Sequence, residues 1–327
     1  MKPGEPLPRL SDLRWVRGAP PKSGLPVVLD CISHWSEGEP TWRGPTNRMA
    51  RAWSKNVALI EVAVFEQEKG ANVRLARELP HPRVALDSGG ALSRWLKSKG
   101  ADFLPQSLLF GKDGKLLFSG ESFELPGVVP AVLARTFDAQ TVYDLQQRRD
   151  AEMPERRKLV TEIGELEKAG KWREAVARID AEESKYVPEN RAGLLVRRFK
   201  ILHKSDPPAA LAYGGALERG PLARELPWLL HDLAIEIAEK PNPSRAERAW
   251  GIALAERLCK NTPTRPSLWD TLAELKYKAG DVAGALVAQE KAARNLDNQL
   301  DLTDSERESI LRWRGIYRTE ASGKTKG

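Results

Sequence analysis

The chain has 327 residues, 41% of them hydrophobic and 30% charged, which is enough apolar material for two folded domains and excludes wholesale disorder. Its net charge is +7, but 45 acidic residues are interleaved with 52 basic ones and no basic stripe with aromatic residues appears, so we expect no nucleic-acid binding. The two cysteines, Cys31 and Cys259, exclude a disulfide framework, and four scattered histidines lack metal-ligand spacing, so we expect neither a metal nor a cofactor.

The start of the chain bears on localisation. Residues 1–15 lack the apolar core of a signal peptide. No apolar run in the sequence approaches the roughly 18 residues that a membrane span requires. We therefore expect no membrane span and a cytoplasmic protein, or a periplasmic or exported one if a signal sequence has been removed.

The first half of the chain alternates between predicted strands and helices. Residues 1–24 are rich in Pro and Gly and predict an irregular lead-in. Short apolar runs then predict the strands Pro26–Ile32, Val57–Phe65, Arg83–Leu86, Gln106–Phe110 and Lys115–Ser119. Helical spacing predicts the helices Thr46–Lys55, Asn72–Glu78 and Asp87–Lys99. This alternation, closed by a hairpin at the KDG turn, predicts an α/β sandwich over residues 1–125.

Two stretches of this half carry a family pattern. In VVLDCISHWSEGE (27–39) an apolar strand leads into a loop at Trp35, and in FLPQSLLFGKDGKLLFSGE (103–121) a proline precedes a strand, a D-G turn and a second strand. Together they resemble the thioredoxin fold in its TlpA/redoxin branch. The resemblance places Ser36 and Glu39 at the two cysteines of the Trp-Cys-x-x-Cys motif and Pro105 at the family's cis-proline. Both active-site thiols are therefore absent.

The missing thiols limit the chemistry of this loop. A serine cannot form a disulfide and a glutamate cannot resolve one, so we expect no thiol–disulfide exchange there. The Ser36-x-x-Glu39 pattern matches a capping box at a helix start. Two enzymatic alternatives remain open: Cys31 acting alone as a thiol–disulfide or peroxidase-like group, which requires an accessible thiol, and Ser36 acting as a nucleophile, which requires a nearby base.

A binding role does not depend on the thiols. The resemblance implies that the backbone before Pro105 pairs with an extended peptide by strand addition. We therefore predict a peptide-binding edge formed by Trp35, Leu104 and Pro105. The other interpretation is that Pro105 only separates two elements of the fold.

The second half of the chain predicts helices with short breaks at Gly and Pro. The stretch PSLWDTLAELKYKAGDVAGALVAQEKAARNLD (266–297) resembles a tetratricopeptide repeat, and weaker copies cover residues 159–183, 194–218 and 228–258. Small residues expected to lie between the two helices of each unit recur at Ala175, Ala210, Ala249 and Ala285. We predict a connecting helical segment over 126–155, a repeat solenoid over 156–320 and a flexible tail over 321–327.

A solenoid of this kind is expected to offer a concave face to a partner. The residues predicted to line it are Leu195, Phe199, Asp270, Glu274 and Tyr277, although the apolar ones could instead belong to the core. The hypothesis from sequence is a redox-inactive scaffold, adaptor or chaperone-like module that binds a protein or peptide through this face, the Pro105 edge, or both. Its alternative is a redox enzyme that uses Cys31 alone.

Overall fold

The computed structural model describes residues 1–22, 24–36, 43–66, 68, 70–100 and 104–323, with only the backbone of Ser36 included. The chain divides into two compact units. The first comprises Met1–Asp144 and Leu300–Arg307, and the second comprises Leu145–Gln299 and Glu308–Gly327.

The first unit contains a mixed sheet whose six described strands have the order β1-β4-β3-β2-β5-β6. The strands are β1 (Arg14–Arg17), β2 (Val27–Ile32), β3 (Ala58–Ala63), β4 (Val84–Leu86), β5 (Gln106–Phe110) and β6 (Leu116–Gly120). β2, β3 and β4 run parallel, β1 and β5 are antiparallel to β4 and β2 respectively, and β6 is antiparallel to β5. The helices are α1 (Arg43–Ala52), α2 (Ala71–Glu78), α3 (Ala91–Ser98) and α4 (Leu125–Leu133).

Helices cover both faces of this sheet. Leu29 and Ile60 pack with residues of α3 on one face, whereas Val28 and Leu59 pack with residues of α1 and α4 on the other. Strands buried on both faces are expected to be apolar at successive positions, which explains why β2 and β3 are nearly continuous apolar runs.

The lead-in is more ordered than its composition predicts. Residues Arg14–Arg17 form the strand β1 against β4, and Pro6 makes an isolated bridge to Lys115. The prediction of an irregular segment is wrong here because a four-residue strand carries no measurable periodicity and forms only where β4 offers a free edge.

Two helix starts also differ from the prediction. α1 begins at Arg43 rather than at the predicted Thr46, and it contains Gly44 and Pro45. Proline is compatible with a first helical turn, because its missing N–H has no acceptor there in any case. α3 begins at Ala91 rather than at Asp87, because the Asp87 carboxylate accepts hydrogen bonds from the backbone N–H groups of Leu92 and Ser93 at 3.1 and 2.6 Å.

The second unit is built from helical hairpins. Its helices are α5 (Ala139–Lys168, beginning in the first unit), α6 (Trp172–Glu182), α7 (Pro188–Ser205), α8 (Pro207–Arg219), α9 (Leu222–Glu225), α10 (Pro227–Glu239), α11 (Arg245–Asn261), α12 (Pro266–Lys278), α13 (Val282–Arg294) and α14 (Asp304–Ala321, also beginning in the first unit). An α/β sheet unit followed by an all-helical unit confirms the predicted fold class.

The small residues of three hairpins lie where helices approach closely. Ala175, Ala210 and Ala285 are each 0% exposed. Ala249 is exposed, so its assignment to this position is wrong. Gly251 occupies the buried position of α11, where an added Cβ would lie 3.1 Å from side-chain atoms of both Ile237 and Leu275. The longer connection before α11 delays its start to Arg245 and moves the buried face of the helix by two residues.

Candidate functional site

The candidate site lies at one edge of the sheet, where β2 and β3 end and β5 begins. Cys31 pairs with Gln106, and Ile32 pairs with Ala63. The strands β2 and β3 are parallel to each other, and β5 is antiparallel to β2. The residues after β2 and β3 therefore meet the residues before β5. We call residues 33–36, 64–66 and 104–105 the carboxyl edge. Ligands of open α/β sheets bind at edges of this kind.

Trp35 is held in place at this edge although its ring is exposed. The residue is 41% exposed, and its indole Nε1 donates a hydrogen bond to the carbonyl oxygen of Phe65 at 3.3 Å. A large apolar side chain that is oriented by a hydrogen bond loses little conformational freedom when a partner packs on it. This placement is compatible with the predicted peptide-binding edge of Trp35, Leu104 and Pro105, which stays a prediction.

The acceptor of that bond has an unusual backbone. Phe65 has a φ of 52°, a conformation that bulky residues rarely adopt. Ser93 Oγ accepts a hydrogen bond from the Phe65 backbone N–H at 3.0 Å, and Lys97 Nζ lies 5.5 Å from the centre of the Phe65 ring. Ser93 in the first turn of α3 and Lys97 in its last turn therefore hold Phe65 in the position where its carbonyl oxygen meets Trp35.

The turn that carries Trp35 is anchored on α2 by Asn72. The side-chain Oδ1 of Asn72 lies 3.2 Å from both the backbone N and the ring Nδ1 of His34. Its Nδ2 donates to the carbonyl oxygen of Val64 at 2.9 Å. Asn72 is 4% exposed, so this amide links the ends of β2 and β3 from within the protein.

The other predicted residues of the edge are placed as follows. Leu104 and Pro105 are partly buried, Leu104 packs against the core, and the peptide bond between them is cis. Ser36 ends a short 3-10 turn, His34–Ser36. Glu39 lies outside the described residues, so the capping box with Ser36 stays a prediction.

Cys31 does not have the properties of a reactive thiol. It lies within β2 and is 0% exposed. Burial raises the pKa of its thiol well above the ordinary value, and the nearby carboxylates of Asp30 and Asp87 raise it further. The thiolate is the reactive form of cysteine, so Cys31 lacks the accessible thiol that the redox alternative requires.

Two buried carboxyl groups beneath the edge were not predicted. Asp30 of β2 and Glu61 of β3 pair in register and are 1% and 2% exposed. Asp30 Oδ1 accepts hydrogen bonds from Ser107 Oγ at 2.7 Å and from Ser122 Oγ at 2.6 Å. Glu61 Oε1 accepts one from Thr46 Oγ1 at 2.9 Å, whereas no described group bonds to the buried Oε2.

Burial dominates the titration of this pair. It raises the pKa of Asp30, although the two serine hydroxyls lower it. Burial and then the charge of Asp30 raise the pKa of Glu61 to about 8. The sequence shows a single acidic residue inside each of two otherwise apolar strands. It does not show the strand register that places Asp30 beside Glu61.

The predicted residues of the repeat face separate into two groups. Leu195 and Phe199 are 4% and 0% exposed and belong to the core of the second unit, so the prediction that they line a groove is wrong. Asp270, Glu274 and Tyr277 lie on one stripe of α12 and are partly exposed. An apolar residue of a degenerate repeat can lie in the core or line a groove, and the position of the neighbouring helix decides between the two.

A cavity on this unit was not predicted. It has a volume of about 400 Å³ and is lined by residues of α5, α7 and α10: Glu167, Val196, Arg197, Lys200, Lys204 and Asp232. Arg197 Nε donates to Glu167 Oε1 at 2.8 Å, and Lys200 pairs with Glu236 at 2.5 Å. These ion pairs border a cavity whose lining also includes the apolar residues Val196 and Ile201 of α7.

The strand order identifies the fold of the first unit. β5 is antiparallel between β2 and β6, and the parallel strand β3 lies on the other side of β2. The first unit has a thioredoxin-like fold. In this thioredoxin-like unit the turn after β2 holds Trp35 and Ser36, at the place where the Trp-Cys-x-x-Cys motif stands in the family that the sequence resembles.

Comparisons with known proteins concern the same unit. No protein-family model and no curated protein matches the chain. The N-terminal domain of PilB from Neisseria gonorrhoeae is similar at 21% identity, covering 34% of this chain and 80% of that chain with a TM-score of 0.30. A putative thiol:disulfide interchange protein DsbE from Chlorobium tepidum is similar at 20% identity, covering 41% of this chain and 97% of that chain with a TM-score of 0.31. These likenesses concern the fold alone.

Two further features concern the described residues as a whole. No group of three or more His, Cys, Asp or Glu side chains among them is placed to hold a metal ion. None of the helices in the described part of the chain is long and apolar enough to cross a membrane.

Proposed function

We propose that this protein is a binding protein, in which a thioredoxin-like unit without redox thiols is joined to a tetratricopeptide-like solenoid. The observation that carries the proposal is the contrast between Cys31, which lies within β2, and Trp35, which lies at the carboxyl edge. Cys31 is fully buried, whereas Trp35 is exposed and oriented by a hydrogen bond. An edge with this composition can hold a peptide and lacks the sulfur that would react with it.

The bound segment would lie along Leu104–Pro105 and pack an apolar side chain on Trp35. Strand addition supplies affinity through main-chain hydrogen bonds, and a fixed aromatic ring adds specificity for the side chain that contacts it. The scaffold role of the second unit is supported by the 400 Å³ cavity and by the partly exposed stripe of Asp270, Glu274 and Tyr277.

The redox part of this proposal is tested by turnover of a protein disulfide, with insulin as substrate and the full chain as catalyst. We expect no turnover by the wild type or by Cys31→Ser. The double variant Ser36→Cys/Glu39→Cys is the matched control, because it restores the spacing of the family motif. Turnover by the wild type that disappears in Cys31→Ser would overturn the proposal.

The binding part is tested with a phage-displayed library of random linear peptides, selected on the immobilised full chain. Selected peptides are then synthesised and titrated against the wild type, Trp35→Ala and Trp228→Ala. Trp228 is the matched control, since it is 36% exposed but belongs to the second unit. We expect Trp35→Ala alone to weaken binding. Peptides that bind all three proteins equally would contradict a binding role of the carboxyl edge.

A further inference from the structure

The hydrogen bonds of Asn72 determine which nitrogen of His34 carries the proton. The carbonyl oxygen of Val64 can only accept a hydrogen bond, so the end of the Asn72 amide that faces it must be Nδ2. The backbone N–H of His34 can only donate, so the end that faces His34 must be Oδ1. Two backbone groups of fixed character therefore exclude the flipped orientation of this amide.

The imidazole ring must conform to this orientation. Its Nδ1 lies 3.2 Å from Asn72 Oδ1, an oxygen that can only accept, so Nδ1 is the protonated nitrogen. In a neutral imidazole the other nitrogen, Nε2, then has a free lone pair, directed away from the Nδ1–H bond. His34 is partly exposed, and no described residue forms a hydrogen bond with Nε2.

His34 immediately precedes Trp35 and follows the end of β2, beside the start of β5. We propose that His34 Nε2 is a binding residue of the carboxyl edge, which accepts a hydrogen bond from an N–H group of the bound peptide, and that Asn72 is its positioning residue. This inference rests on the proposed function, because it adds a polar contact to the edge that Trp35 and Leu104–Pro105 form.

Position and chemistry support this role over a structural one. Asn72 Oδ1 accepts hydrogen bonds from both the backbone N–H and the ring Nδ1–H of His34, and the second of these bonds fixes the tautomer. A histidine that only filled space would not need a fixed tautomer. The other three histidines differ: His81 and His203 are 0% and 5% exposed, and Nε2 of the partly exposed His231 lies 3.0 Å from Thr271 Oγ1. An edge with one apolar surface and one acceptor beside it selects a segment that combines an apolar side chain with an adjacent N–H group.

The tautomer is measured without any ligand. In the full chain labelled with ¹⁵N-histidine, long-range ¹H–¹⁵N spectra at alkaline pH distinguish Nδ1–H from Nε2–H rings, and His34→Gln assigns the signal. We expect the Nδ1–H form for His34, and a shift toward the Nε2–H form in Asn72→Ala. The control variant Asn295→Ala, whose amide bonds only within its own segment, should leave the signal unchanged. An Nε2–H ring in the wild type would overturn the inference.

The binding role is measured with synthetic peptides selected from the random library on the wild type. We expect His34→Ala to weaken their binding about tenfold, the effect of losing one hydrogen bond of ordinary strength. His34→Gln should restore part of the loss, because its amide oxygen offers an acceptor near the position of Nε2. If Trp35→Ala weakens binding and His34→Ala does not, this inference fails and the proposed function stands. If Trp35→Ala has no effect either, the proposed function fails.

Discussion

The buried pair of Asp30 and Glu61 makes the stability of the first unit depend on pH. Replacing Glu61 by Gln removes the ionisable group but keeps a carbonyl oxygen for the hydrogen bond from Thr46, which is 2.9 Å long in the wild type. The substitution therefore isolates the charge from the shape of the side chain. We expect Glu61→Gln to stabilise the first unit at alkaline pH and to change it little in mild acid.

The direction follows from the raised pKa. Glu61 has a pKa of about 8 in the folded protein against 4.5 for a free side chain. Between these values the folded protein holds a proton that the unfolded chain has released, so the free energy of unfolding falls as the pH rises. Each pKa unit corresponds to about 1.4 kcal/mol, so the whole change amounts to at most about 5 kcal/mol, complete near pH 8.

The assay must separate the two units, and the two cysteines allow this. Urea titrations of the full chain between pH 5 and pH 9 are followed by a short pulse of a dipyridyl disulfide, which reacts with thiols in mild acid as well, and by mass spectrometry of the labelled peptides. Cys31 is buried in the first unit and Cys259 in the second, so each reports the unfolding of its own unit.

A matched control variant and two refuting outcomes complete the design of this experiment. Glu68→Gln removes a carboxylate of the same unit whose side chain is 68% exposed, and it should leave the pH dependence intact. A wild-type midpoint for Cys31 that is flat or rises from pH 5 to pH 8 would refute the reasoning. An equal slope in Glu61→Gln would refute it as well.

Three further predictions concern the core. Cys31 should stay unlabelled in the native full chain and react once urea unfolds the first unit; fast native labelling would contradict its burial. Gly251→Leu should destabilise the second unit by about 1–3 kcal/mol, because the position has no room for a side chain. The control Ala249→Leu, on the exposed side of the same helix, should change stability by less than about 0.5 kcal/mol, and equal effects would contradict the assigned face. Glu247 is 1% exposed, and its carboxylate accepts a hydrogen bond from Lys240 Nζ at 2.6 Å. Burial raises the pKa of Glu247, but the hydrogen bonds to its carboxylate outweigh burial and lower the pKa to about 2. The free energy of unfolding of the second unit should therefore fall as the pH falls from about 4.5 toward 2. Glu247→Gln should be less stable than the wild type at neutral pH and should lose less stability over this acid range. An equal loss of stability in the wild type and in Glu247→Gln would count against this.

The local pattern of the sequence predicted most of the elements, although not β1. Apolar runs such as VVLDCI and ALIEVA predict buried strands, because a strand covered on both faces needs apolar side chains at successive positions. Helical spacing interrupted at Gly170 and Gly280 predicts hairpins, and both glycines have the positive φ that such turns use. The absence of two cysteines at the loop was visible without any structure.

Relations between distant residues required the tertiary structure. Phe199 has the same apolar side chain whether it lines a groove or fills a core, and only the neighbouring helices decide that it is fully buried. The meeting of Asp30 with Glu61 depends on the register of two strands, and that of His34 with Asn72 depends on how α2 packs beside the sheet. Sequence periodicity describes the faces of one element at a time, whereas a site is made where faces of several elements meet.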